Sequence, residues 1–206
     1  MAKDIYANFN ELKANTVVEI DYHIEATKRN SNILMMTPHG GGIEIGTSEL
    51  VLFSANGIFS EYAFEGWRTS NNHELHITST NFDEPICLDM VGETEHIIAF
   101  HGYSDTVNKH TMIGGRDSNA KQSAFEALTA AGFSCEIVPV GGYLAGSDPD
   151  NICNKGTKRM GLQLEISTAQ RYAFFGTNTR AERRNTTLPE FHNYVEAIIR
   201  IYNPVV

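Results

Sequence analysis

An α/β chain with an open, mixed sheet flanked by helices is what this sequence predicts, and three observations predict it. Short apolar runs alternate with segments of helical spacing, the order of a sheet built through crossovers. Gly or Pro often closes the apolar runs, as happens where strands leave a sheet. No internal repeat, low-complexity tract or Pro/Ser-rich linker interrupts the 206 residues, so one domain over 1–206 is expected.

The elements follow in chain order. Ile33–Thr37 is apolar until a proline and reads as a buried strand. Thr47 or Ser48 offers a hydroxyl cap for a helix running through Ala55. His73–Ser79 alternates polar and apolar residues and reads as a second strand. His96–Phe100 is a third, ending before His101-Gly102. Ser118 is placed to cap a helix over Ala120–Ala131, with Gly132 in the position that favours a stop. Cys135–Val140 and Gly161–Ile166 supply two further strands. Leu188–Ile201 opens on Pro189 and carries Phe191, Tyr194, Val195, Ile198 and Ile199 at helical spacing.

Composition narrows the function. With 41% apolar residues the chain can bury a sizeable core. Its longest apolar runs, Ile33–Met36 and Ile97–Phe100, fall far short of the roughly 20 residues of a membrane span. A formal charge of −9 opposes nucleic-acid binding, which needs a basic face. Cys87, Cys135 and Cys153 lack CxxC spacing and read as reduced thiols without a disulfide. The first 25 residues mix charge with apolar residues and have no hydrophobic signal-peptide core, so synthesis in the cytoplasm without a signal peptide is expected.

In open α/β sheets functional residues gather beyond the carboxyl ends of the strands. His39, His101 and Glu165 fall at such positions. Around His39, the segment HGGGIE at 39–44 allows three mechanisms. An oxyanion hole would require a GxSxG serine, and the nearest approaches at 46–50 and 102–106 lack the closing glycine. A phosphate cradle would require a lysine after the glycines, where Glu44 stands instead. Two metal ligands, His39 and Glu44, suit the residue types, and His101 is the natural third. The residues alone leave a metal site and a pair of hydrogen-bonded rim histidines both open. His73 and His76 would point to opposite faces of a strand, and we read them as structural.

Taken together, PHGGGIE at 38–44, HITSTNFDEP at 76–85, IIAFHGY at 97–103, IGGRD at 113–117, NICNKG at 151–156 and GLQLEIS at 161–167 resemble the phage-type poly-γ-glutamate hydrolases. The resemblance runs from about residue 20 to the last helix. It implies a zinc carboxypeptidase-like fold with a single zinc per chain, held by His39, Glu44 and His101, and Glu165 as the catalytic carboxylate. The substrate implied is an anionic polymer with a free α-carboxylate on every residue. Arg116, Lys155 and Arg171 are the cations expected to meet it, with Asn154, and also Asn151, orienting its amide. Asp83 and Asp105 are the carboxylates expected behind the zinc histidines, Tyr103 is a donor near the reacting group, and the Arg180, Arg183, Arg184 cluster is read as a solvated face. The expected protein is a monomer made in a phage host and acting outside the cell after lysis. Two other readings are a zinc amidase acting on cell-wall peptides or small acyl-amino acids and a non-catalytic zinc-binding phage protein.

Overall fold

Two segments, Ile33–Gly41 (β2) and His96–Tyr103 (β4), carry nearly unbroken apolar runs, and such strands need cover on both faces. The computed structural model describes residues 4–202 and places them at the centre of a seven-stranded sheet. The others are Tyr22–Thr27 (β1), Ser60–Gly66 (β3), Thr111–Gly115 (β5), Cys135–Ile137 (β6) and Leu162–Ser167 (β7). The spatial order is β1-β3-β2-β4-β7-β5-β6. Strands β3, β2, β4 and β7 run parallel, while β1 and β5 pair antiparallel to β3 and β7, and β6 follows β5.

Helices cover both faces. Thr47–Ala55 (α2), Ser118–Ala130 (α4) and Pro189–Arg200 (α6) close one face over Met35, Ile98, Phe100, Leu164 and Ile166. Phe9–Asn15 (α1) and Pro85–Glu93 (α3) close the other over Leu34, Met36, Phe64, Ile97 and Ala99. Each fully buried Leu, Ile, Met or Phe side chain among these contributes about 1.5–3 kcal/mol. The short helix Thr168–Tyr172 (α5) follows β7 directly.

Several expectations need correction. Residues 73–79 are not a strand: a 3₁₀ turn spans Asn72–Leu75, and Leu75 and Ile77 insert into the core without pairing a neighbouring strand. The alternation there reflects burial of a loop. β6 stops at Ile137, before Pro139, which has no N–H to give a ladder. Gly46 and Asp117, not the hydroxyl residues after them, occupy the N-cap positions of α2 and α4. The three cysteines are free.

In the arginine cluster Arg180 and Arg184 are exposed, as a solvated face requires, and only Arg183 departs from that expectation. Arg180 stacks on Trp67 at 4.6 Å, and Arg184 pairs with Glu25 at 2.6 Å. Arg183 is buried, ion-paired to Glu49 at 3.0 Å, and donates to the Gly41 carbonyl at 3.3 Å. Burial pushes the Glu49 carboxyl up, and Arg183 opposes it. We therefore predict that Arg183→Ala destabilises the chain by about 3–5 kcal/mol, because a buried charge loses its partner. Urea unfolding checks this, and an unchanged midpoint would contradict it.

Candidate metal centre

The parallel strands β2 and β4 lie side by side, but the chain leaves β2 toward β3 on one side and returns to β4 on the other. That is a topological switch point, where open sheets form a crevice beyond the strand ends. His39 stands at the end of β2 and His101 near the end of β4.

Simple alternation would not bring them together. Leu34 and Met36 share the face of Ile97 and Ala99, so strict period two would put Pro38 there and His39 on the opposite face. Between Thr37 and Gly40 the register with β3 slips by one residue: Thr37 opposes Ala63, yet Gly40 opposes Glu65. This bulge re-aims His39 onto the face of His101, as bulges near functional sites do.

The glycines then fold the chain back. Gly41 has φ +64°, and a Cβ on it would lie 2.5 Å from the Gly66 carbonyl oxygen. Only glycine fits both demands. The Glu44 amide donates to the His39 carbonyl at 2.8 Å, closing the loop, and the Thr47 hydroxyl donates to the Glu44 carbonyl at 2.9 Å.

The side chains converge as a result. His39, Glu44 and His101 each offer one ligand atom, all within 4.8 Å of one another. His39 Nδ1 lies 3.1 Å from His101 Nδ1 and 3.2 Å from Glu44 Oε1, while Glu44 Oε2 is 3.6 Å from His101 Nδ1. His39 Nε2–H donates to the Ile77 carbonyl at 2.8 Å, which leaves Nδ1 as the lone-pair nitrogen facing the cluster. The Gly102 amide donates to Glu44 Oε2 at 2.9 Å. Burial alone would raise Glu44, but His39 and then His101 hold it well below the usual carboxylate range.

This donor set fits a zinc ion. Two imidazole nitrogens and a carboxylate oxygen converge from buried or nearly buried side chains, the three-ligand arrangement of catalytic zinc. On the far side of the His101 ring from the cluster, Nε2 is buried without a hydrogen-bond partner among the described residues.

Glu165 is the register partner of His101 across the parallel β4–β7 pair, so both project from the same face. It is buried, and its Oε1 accepts from Gln163 Nε2 at 2.8 Å, while Gln163 Oε1 accepts from Asn151 Nδ2 at 2.8 Å. Burial pushes its carboxyl up to about 7, with His101 and Arg171 opposing and Glu44 adding to the rise. A cation between His39 and His101 would draw it back down.

The four residues expected at the substrate occupy different settings. Arg171 is buried beside the centre: its Nε, Nη1 and Nη2 donate to Ile166 O, Ile45 O and Thr168 Oγ1 at 3.0, 2.6 and 3.2 Å. Its guanidinium fills the space a Gly102 Cβ would take, 2.4 Å away. Arg116 is exposed and bonds the Ser147 carbonyl at 3.2 Å. Lys155 is half-buried after the 3₁₀ turn Ile152–Asn154 and forms no ion pair among the described residues. Asn154 is buried, and its amide is engaged by Gly146 O, Asp148 O and Gly161 N, which makes it a loop-shaping residue here.

Neither aspartate backs a histidine. Asp83 accepts from the Phe9 amide at 2.7 Å, and Asp105 accepts from Val107 and Asn108 amides in its own turn, both at 2.9 Å. The support for His39 comes instead from a backbone carbonyl. Sequence reasoning also passed over His76, whose ring stacks on His39 at 4.0 Å. The histidine-rich spacing at 73–76 was the available signal, and reading the segment as a strand discarded it.

The profile of a family described as poly-gamma-glutamate hydrolase matches residues 6–197. The SPbeta prophage-derived protein YoqZ of Bacillus subtilis strain 168 is 43% identical over 98% of this chain and 73% of its own length. YmaC of the same strain is 43% identical over 95% of this chain and 82% of its own. Among solved structures, a bacteriophage poly-gamma-glutamate hydrolase superposes with a TM-score of 0.93 at 36% identity, and a zinc-free form of YndL with 0.94 at 36%, each covering 98% of both chains.

Proposed function

This chain belongs to the poly-γ-glutamate hydrolase family, and from that premise we propose that it is a zinc-dependent amidohydrolase cleaving γ-glutamyl amide bonds. The observation that carries the proposal is the convergence of His39, Glu44 and His101 at the sheet's switch point, with Glu165 the cross-strand neighbour of His101. A zinc-free form of YndL, as a solved relative, supports the choice of metal.

His39, Glu44 and His101 would hold the ion. When bound, zinc supplies Lewis acidity to the scissile carbonyl and to water, whose pKa such a site brings to about 7. Glu165 takes the proton from the attacking water and passes it to the departing amine. Its orientation comes from the Asn151–Gln163–Glu165 chain, which keeps the carboxylate from rotating away. Arg171 places fixed positive charge beside Glu44 and Glu165 and has N–H groups beyond its three protein bonds to offer a substrate oxygen. Arg116 and Lys155 do not join this centre. Arg116 follows Gly115, the partner of Leu162 at the start of β7, and Lys155 precedes Gly156, which packs on Ile97 at the start of β4, so both lie toward the opposite edge of the sheet. A groove of about 600 Å³ lies at the metal-centre end of the strands, lined by Tyr103, His110 and Met112, the last the cross-strand partner of Glu165.

The prophage origin of one close relative supports a phage product that is released at lysis and thins the capsule of neighbouring cells. Among the described residues no helix is long and apolar enough to cross a membrane.

The test is viscosity of poly-γ-glutamate solutions with protein stripped of metal and then reloaded with zinc. Rapid thinning only after reloading is the expected result. Zinc uptake without thinning would sink the polymer substrate and leave cell-wall peptides or small acyl-amino acids to be tried. Thinning unaffected by chelation would sink the metal.

A further inference from the structure

One short loop, residues 76–78, holds the His39 ring from two directions. His76 lies nearly face-on against it, with ring centroids 4.0 Å apart and planes inclined by 30°, and the Ile77 carbonyl accepts its Nε2–H at 2.8 Å. An imidazole can still turn about its last torsion when held by a single hydrogen bond. A ring packed on its face stops that rotation, so the stack and the bond together fix where Nδ1 points.

The loop is in turn tied to a residue far away in sequence. Asp4 Oδ1 accepts from His76 Nδ1 at 2.6 Å, and Asp4 Oδ2 accepts from the Thr78 amide at 2.6 Å. One carboxylate thus bridges both ends of the loop. Asp4 lies outside every helix and strand, ahead of α1, so its contribution to the sheet core is small. Its two bonds are instead aimed at the segment that touches the ligand.

We propose that Asp4 and His76 are positioning residues for the ligand His39, an N-terminal clamp that sets metal affinity by fixing the plane of the His39 ring. Neither residue touches the ion. The bond from Asp4 holds His76 flat on the ligand ring, and the stacked ring transmits that restraint. Supporting partners of metal-bound histidines typically matter by 10–100-fold in metal affinity, and here the support comes from a ring face as well as from a carbonyl.

This inference rests on the zinc reading above, and the experiment separates the two. Zinc dissociation constants are measured by competition with a chromogenic chelator for wild type, His76→Ala, His76→Phe and Asp4→Ala. The visible absorption of the cobalt-substituted proteins reports ligand geometry, and thermal melting of the metal-free forms reports folding. We expect His76→Ala to weaken zinc by about 10–100-fold and to shift the cobalt bands. His76→Phe, which keeps a flat ring on His39 but loses the bond to Asp4, should bind more tightly than His76→Ala and less tightly than wild type. Asp4→Ala should likewise fall between His76→Ala and wild type, and it serves as the second probe should His76→Ala fold poorly.

Wild-type affinity and an unshifted cobalt spectrum in both alanine variants would overturn the clamp while leaving the zinc centre intact. Affinity lost equally in His76→Phe and His76→Ala would also overturn it, because stacking would then be irrelevant. A wild type that takes up no zinc would overturn the clamp and the metal centre together.

Discussion

Glu165→Gln is expected to lower poly-γ-glutamate hydrolysis by about 10²–10⁴-fold while the protein keeps its full complement of zinc, the scale on which a general acid–base residue acts. Glutamine preserves the volume of Glu165 and can still accept from Gln163, so the fold should tolerate it. What it loses is the capacity to take a proton from water and return it to the amine. The uncharged side chain also removes a buried carboxyl that burial pushes up to about 7, so the metal-free variant should melt no lower than wild type. Turnover, metal content and melting are measured on the same preparation. Undiminished turnover would remove Glu165 from the chemistry. Turnover lost together with the metal would make it a ligand instead.

His101→Ala is expected to abolish both zinc binding and hydrolysis. Its Nδ1 is one corner of a set that spans no more than 4.8 Å, and two remaining donors do not make a catalytic zinc site. The loss in affinity should exceed the roughly 10–100-fold typical of removing a supporting partner. Elemental analysis of the dialysed variant, beside the viscosity assay, checks it. The pair of variants is more informative than either alone. Glu165→Gln separates chemistry from binding, whereas His101→Ala removes both, and a His101→Ala protein that retained zinc would refute the ligand set.

Much of this was legible in the sequence. The strand cores of β2, β4 and β7 stand out because central strands buried on both faces read as apolar runs. α2, α4 and α6 carry either helix-terminus signals or clear helical spacing. Less legible were β1, β3 and β5. β3 reads SEYAFEG, and its two glutamates are buried only because Arg29 pairs with Glu61 at 3.1 Å and Trp67 donates to Glu65 at 2.9 Å. No local pattern announces the burial of Glu61, whose partner Arg29 stands 32 residues earlier in the chain. β1 is an edge strand with a half-polar pattern, and β5 is five residues long with two glycines.

The sequence by itself determined which residue types stand at the ends of the central strands: a histidine before three glycines and a carboxylate, a histidine before a glycine, and a glutamate among leucines. Those are local properties, set by side-chain chemistry and period. Only the tertiary structure decided that His39 and His101 share a face, because that depends on a one-residue slip against β3 which strict alternation does not foresee. It also decided that Arg171 lies buried against Gly102, that Arg183 is an internal ion-pair partner of Glu49, and that Asp4 reaches His76 across the fold. Each of these is a contact between distant segments, fixed by which strands neighbour one another and how their loops fold back. The periodicity of any one segment carries no record of that.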